Sequence, residues 1–258
     1  MPLGWIDVSQ LSFNTVLLLE RVQLSWFPGW LPEAELALAL QANPAVEWYM
    51  RHKCPDLNGW LDRVMQMVPG KDIKPDQARQ AEVTVLSTIE DLLVYVVDPA
   101  VYEAQPFNQW NSAELTSLVN FTGKTVLDIG AGTGRLTFLA AEKAACVFAV
   151  EPVENLRRYL KEKARKMGFS NVYPVDGLIT DIPFPDQFAD LTIGGHVFGD
   201  DMQGEYQELM RVTRRGGMVI LMGGGGKEGH EFLISKGFQA AFYHEPGVAK
   251  QAKYWRVC

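Results

Sequence analysis

Two spacings of apolar residues divide the chain. Up to about residue 109 they recur at helical intervals, over residues 32–41, 44–51, 57–67 and 75–96, with prolines at first-turn positions. From about residue 110 short apolar runs alternate with amphipathic stretches, which predicts a doubly wound α/β sheet. Asn111-Ser112-Ala113-Glu114 reads as a capping box that opens a helix to about residue 120. Strands are predicted at 125–129, 146–150, 171–175, 189–194 and 217–222, with helices at 136–143, 153–167 and 204–213. Residues 238–244 and 252–257 alternate around Pro246-Gly247 like a closing hairpin. Five parallel strands and a terminal antiparallel hairpin make a mostly parallel, seven-stranded sheet. The expected organisation is a helical N-terminal accessory or cap region, residues 1–109, followed by a sheet domain, residues 110–258. Pro69-Gly70-Lys71-Asp72 reads as a turn or short linker within the first region. Trp5, Trp26, Trp30, Trp48 and Trp60 also fall there, which favours a packed layer over a disordered tail.

One predicted strand carries more than packing. In Val126-Leu127-Asp128-Ile129-Gly130-Ala131-Gly132-Thr133-Gly134, branched apolar residues surround one aspartate and glycines follow at every second position. A strand, a glycine turn and a helix let backbone amides approach a ligand without a Cβ in the way. A dinucleotide fingerprint places its third glycine five residues after the first, and Arg135 stands there instead. The Gly-Lys-Ser/Thr of a P-loop is missing as well. The stretch resembles the first motif of the class I S-adenosylmethionine (SAM)-dependent methyltransferases, Asp-x-Gly-x-Gly-x-Gly after a hydrophobic strand. The predicted sheet is similar to that family's, so the resemblance covers residues 110–258.

The resemblance implies SAM as cofactor and an in-line transfer of its sulfonium methyl. The backbone of Gly130, Ala131, Gly132 and Gly134 would pass beneath the methionine part, with Asp128 accepting from its ammonium. Asp128 also carries a simpler reading, capping the loop by bonding its amides. Glu151, followed by Pro152, ends the second strand, where a carboxylate accepts from both ribose hydroxyls. Gly177, Leu178 and Ile179 would meet the adenine through backbone and apolar contacts. Leu178 stands where the family commonly has an aspartate, so a hydrogen bond from Asp176 or Asp181 is in doubt. Gly195 and His196 follow the fourth strand, in a loop that borders both cofactor and acceptor in the family. His196 reads equally as a general base and as a ring that hydrogen-bonds backbone. The Asn/Asp-Pro-Pro-Tyr/Phe motif of amino-group methylases is absent from that loop. Trp110 lies in the entry segment with Tyr102, Phe107 and Asn108, where an aromatic would cover the sulfonium or simply pack the arm against the sheet.

Composition narrows the partners. With 24 basic and 31 acidic residues the net charge is −7, which disfavours general nucleic-acid binding. The basic run 157–166 has helical spacing and reads as a solvated face. Cys54, Cys146 and Cys258 form neither a disulfide framework nor a ligand cluster, and no metal site is expected. Asp200-Asp201 reads as a helix cap before it reads as a cation site. No signal peptide or membrane span is evident, so a soluble, cytoplasmic protein is expected. Gly223–Gly226 reads as a flexible connection near the acceptor mouth, with no helix start. By elimination the methyl acceptor is expected to be a small molecule, and the oligomeric state is left open. Two other functions stay in view: methylation of RNA or protein, and a SAM-binding sensor or scaffold without catalysis.

Overall fold

The computed structural model describes residues 4–68, 72–108, 110–244 and 251–258. The chain divides into two units, Met1–Tyr102 and Glu103–Cys258, so the segment just ahead of Trp110 goes with the second. Residues 69–71 of the predicted turn at Pro69-Gly70-Lys71-Asp72, and Pro246-Gly247 within the predicted hairpin, lie outside the described residues.

The first unit is helical: α1 (Arg21–Ser25), α2 (Glu33–Ala42), α3 (Pro44–Lys53), α4 (Asn58–Met65), α5 (Pro75–Thr88) and α6 (Glu90–Val97). Its core gathers Phe13, Leu24, Leu36, Met50, Leu61 and Leu86 from successive elements. The predicted helix over 75–96 is two helices, broken at Ile89 (φ −107°, ψ 24°). The break accompanies a buried Glu90 carboxylate that accepts backbone N–H groups of Gly4, Trp5 and Ile6. A buried carboxylate needs such donors, because desolvation otherwise disfavours its charge. The short helix α7 (Pro99–Glu103) contains the division between the units.

The second unit opens with α8 (Ala113–Thr116), shorter than predicted. Asn111 does accept from the Ala113 N–H, but the Glu114 carboxylate pairs with Lys253 Nζ at 2.8 Å and does not close a capping box. Then come β1 (Thr125–Ile129), α9 (Arg135–Ala141), β2 (Cys146–Val150), α10 (Glu154–Met167), β3 (Val172–Val175) and β4 (Ala189–Gly195). They are followed by α11 (Met202–Val212), β5 (Thr213–Met222), α12 (Gly226–Ser235), β6 (Gln239–Tyr243) and β7 (Gln251–Val257). The seven strands lie in the order β3-β2-β1-β4-β5-β7-β6, with β7 antiparallel to both neighbours. This is the predicted doubly wound sheet. Helix α12 is an addition, because the glycines around it hid its periodicity.

The strands alternate between two cores. Val126 faces Leu136 and Ala140 of α9, whereas Leu127 and Ile129 face the side of Leu209 of α11 and Leu233 of α12. Helix α10 buries Leu156, Leu160 and Ala164 and closes at Gly168 in the left-handed conformation. Strand order reverses between β1 and β4, with β2 and β3 on one side and β5 on the other. At such a switch point the loops leaving the strands diverge and open a crevice at their carboxyl ends.

Candidate active site

The turn after β1 stands at that crevice. Gly130, Gly132 and Gly134 have φ of 65°, 56° and 92°, a region open to glycine and strained for most other residues. Packing reinforces two of them. A Cβ on Gly130 would lie 2.6 Å from Val197 Cγ2, and one on Gly134 would lie 2.4 Å from the Phe138 ring. Protein side chains thus fill the space beside these two glycines, and the turn presents its backbone to the crevice.

Two buried carboxylates lie under the turn. Asp128, 1% exposed, accepts a hydrogen bond from the Thr137 hydroxyl of α9. Burial pushes its pKa up to about 7 against the Thr137 hydrogen bond and the nearby Arg135 charge, while Glu151 raises it further. Glu151 accepts from the Gly132 N–H and the Val153 N–H, each at 2.9 Å. It therefore ties the glycine turn to the start of α10. Burial raises its pKa as well, opposed by those two amides and by Arg157.

Beyond Glu151 the site continues along β3. Arg157 Nη1 donates to the Glu151 carbonyl at 2.7 Å and pairs with Asp176 at 2.8 Å. A residue of the basic run is thus a post of the site, its partners lying outside its own helix. Gly177 has no room for a Cβ, which would lie 2.6 Å from Pro183 and 2.8 Å from Val150. Leu178 is 38% exposed and forms a bridge with Asp181, while Ile179 packs into the core beside α11 and α12. Pro152 is half-buried between Glu151 and Val153.

The loop after β4 closes the other side. His196 is a non-glycine residue with φ 54°, and its N–H donates to the Met222 carbonyl at 3.0 Å. Its ring lies against Gly223, where a Cβ would come within 2.8 Å of Nδ1 and Cε1. Asp201 caps α11 by accepting from the Gly204 N–H, and Glu205 accepts from Gly199, Asp200 and Asp201. The Asp200-Asp201 pair is thereby part of a helix start. Among the described residues no group of three or more His, Cys, Asp or Glu side chains could hold a metal ion.

Arg135, which stands where a dinucleotide fingerprint would have its third glycine, lies beside this turn too. Its guanidinium lies 5.1 Å from the Trp110 ring centroid and donates to the Phe107 carbonyl at 3.0 Å. Farther round, a cleft of about 320 Å³ is lined by Gly224, Lys227, His230, Phe242 and Tyr254. The His230 Nδ1 and the Tyr254 hydroxyl are 3.1 Å apart in it. No helix among the described residues is long and apolar enough to cross a membrane.

Comparison with known proteins gives a consistent picture. Residues 126–217 match the family model described as a methyltransferase domain. An uncharacterised methyltransferase of Anoxybacillus flavithermus is 27% identical over 134 residues, covering 50% of this chain and 61% of that protein. A protein-L-isoaspartate O-methyltransferase of Dictyoglomus thermophilum is 30% identical over 131 residues, or 40% and 56% of the two chains. The chain thus spans less than two thirds of either relative. A SAM-dependent methyltransferase structure from Aquifex aeolicus superposes with a TM-score of 0.49 at 19% identity, covering 61% of this chain and 97% of that one.

Proposed function

We propose that this chain is a class I SAM-dependent methyltransferase, a reading supported by the methyltransferase-domain match over residues 126–217 and by its sheet, and that it transfers the methyl of SAM to a small-molecule acceptor. The observation that carries the reading is the pair of buried carboxylates, Asp128 and Glu151, under a glycine turn at the switch point of the sheet. SAM, when bound, supplies an activated methyl and its own leaving group. The residues fit what such a molecule presents. Asp128, whose buried carboxyl is held up in pKa by desolvation, would accept from an ammonium, which favours its charged form. Glu151 uses the lone pairs left by its two amides to accept from vicinal hydroxyls. The half-exposed Leu178 and the backbone of Gly177 offer an apolar shelf for a planar base.

The acceptor enters from the side of β5. Gly223, in contact with the His196 ring, leads directly to Gly224 on the wall of the cleft. A volume near 320 Å³ suits a small ligand. Catalysis then rests on holding acceptor and methyl in line, which removes most of the orientational entropy of the encounter. Where the acceptor is a hydroxyl or thiol, an imidazole nitrogen of His196 takes its proton.

Incubation of the full chain with methyl-labelled SAM tests the proposal, using separate pools of small metabolites, RNA and protein. Label in the low-mass fraction, with release of S-adenosylhomocysteine (SAH), supports it. Label in RNA or protein overturns the small-molecule acceptor. Bound SAH without transfer to any pool overturns the enzyme in favour of a binder.

A further inference from the structure

We propose that the cleft beside Gly224 takes an acceptor bearing an anionic oxygen group, a carboxylate or a phosphate, on an apolar body, and that His230 and Lys227 hold this group. The inference rests on the reading above that this cleft receives the methyl acceptor, and it adds the acceptor's chemical class. Strand pairing places the cleft at the carboxyl edge of the sheet. Met222, the last residue of β5, lies opposite Lys253 of β7, and Phe242 of β6 lies opposite Ala252 of β7. Gly224, Phe242, Ala252 and Tyr254 of the lining therefore gather where β5 ends. Because β1, β4 and β5 run parallel, that edge also carries the glycine turn after β1.

Hydrogen bonding decides what the cleft offers. Tyr254 is 2% exposed, and the partner of its hydroxyl among the described residues is His230 Nδ1, at 3.1 Å. Burial raises the Tyr254 pKa, so the hydroxyl keeps its proton. A buried hydroxyl that donated nowhere would be costly, so it donates to Nδ1. The neutral imidazole then carries its own proton on Nε2, and it keeps that proton when the ring is charged. His230 is thus a donor to the cleft in either state. Lys227, three residues earlier on α12, adds an ammonium to the same lining. Its ion pair with Glu231 is long, 3.8 Å, between side chains 88% and 66% exposed, and holds it loosely. Among the described residues no Asp or Glu lines the cleft, although the chain as a whole carries a net charge of −7. Phe242, Ala252 and the Tyr254 ring supply apolar walls. Two donors, one of them charged, beside apolar surface and without a lining carboxylate match an anionic oxygen group on an apolar body.

The test titrates the full chain, loaded with SAH, with benzoate, phenyl phosphate and the neutral benzyl alcohol, following imidazole proton resonances by NMR. The chain has four histidines, and His230→Gln assigns the signal of interest. Benzoate or phenyl phosphate is expected to move that signal and to bind at least about tenfold tighter than benzyl alcohol. Lys227→Met should remove most of the difference and leave benzyl alcohol within about twofold. Equal binding of all three probes, binding of none, or an anion preference that survives Lys227→Met and His230→Gln together would overturn the proposal. A second readout uses the acceptor itself. Small metabolites labelled from methyl-labelled SAM are passed over an anion exchanger: retained label supports the proposal, and label confined to the unretained fraction overturns it. Bound SAH with no label in any pool would reject the acceptor reading on which the proposal rests, an outcome distinct from the others.

Discussion

Glycine-rich turns leave both β1 and β5, and each leads into a helix at the carboxyl edge of the sheet. The turn after β1, residues 130–134, lies over Asp128 and Glu151, and its Gly132 amide is spent on the second of these. Around the turn after β5, residues 223–226, the nearest atoms to the glycines belong, among the described residues, to His196, Phe198 and Gly229. Its glycines make room for other backbone: a Cβ on Gly225 would lie 2.5 Å from the Gly229 Cα, and one on Gly224 would lie 3.0 Å from the Phe198 carbonyl. Similar local grammar thus serves two ends. One turn lies over two buried acids, the groups proposed to meet a ligand, and the other lets α12 and the His196 loop approach closely. Glycine spacing reports a tight turn, and the acids beside it set the two turns apart.

The comparison breaks first at Glu151. Glu151→Ala removes the proposed ribose acceptor and leaves two amides unpaired, so SAH affinity is expected to fall on the order of a hundredfold or more. Unchanged affinity in calorimetry would reduce Glu151 to a structural tie. Next comes the other turn. Gly225→Ala forces a Cβ onto backbone at φ 66° and should lower stability by roughly 1–3 kcal/mol, read as a drop of several degrees in Tm. SAH affinity should stay as it is; a parallel loss would mean that both turns serve the cofactor.

A smaller effect separates charge from packing. Asp128 has its folded pKa near 7, above its ordinary value of 3.8, because burial disfavours the ionised form. The folded state then holds a proton that the unfolded state has released across this window. The ligand-free chain therefore gains stability from this group as pH falls from 8 to 6. SAH affinity moves the opposite way, weakening by about tenfold over the same range as the carboxylate is neutralised. Asp128→Asn should flatten both trends, and parallel trends in the wild type would argue against an ammonium at this site. The smallest change is expected at Arg157, which steadies Glu151 through its carbonyl. Arg157→Met should weaken SAH by about threefold, and a loss as large as that of Glu151→Ala would place Arg157 on the ligand itself.

These contrasts also show where the sequence was readable. The strand and turn at 126–134 were legible because an aspartate inside an apolar run has few purely structural explanations, and the parallel order followed from alternating strands and helices. The contacts of Arg135 and Arg157 were not legible, since their partners are the carbonyls of Phe107 and Glu151 and the carboxylate of Asp176. Main-chain acceptors leave no mark in a sequence. Helix α12 escaped because Gly226 and Gly229 are poor helix formers, kept here by the close approach of Gly225 to Gly229. The break at Ile89 was hidden for a similar reason: Glu90 looks like a surface acid until its donors near residue 5 are known.

The most direct test of the central claim is a calorimetric titration of the full chain with SAH. The two acids beneath the glycine turn predict one site per chain with a Kd on the order of micromolar, about −8 kcal/mol. No binding at millimolar SAH would contradict the account.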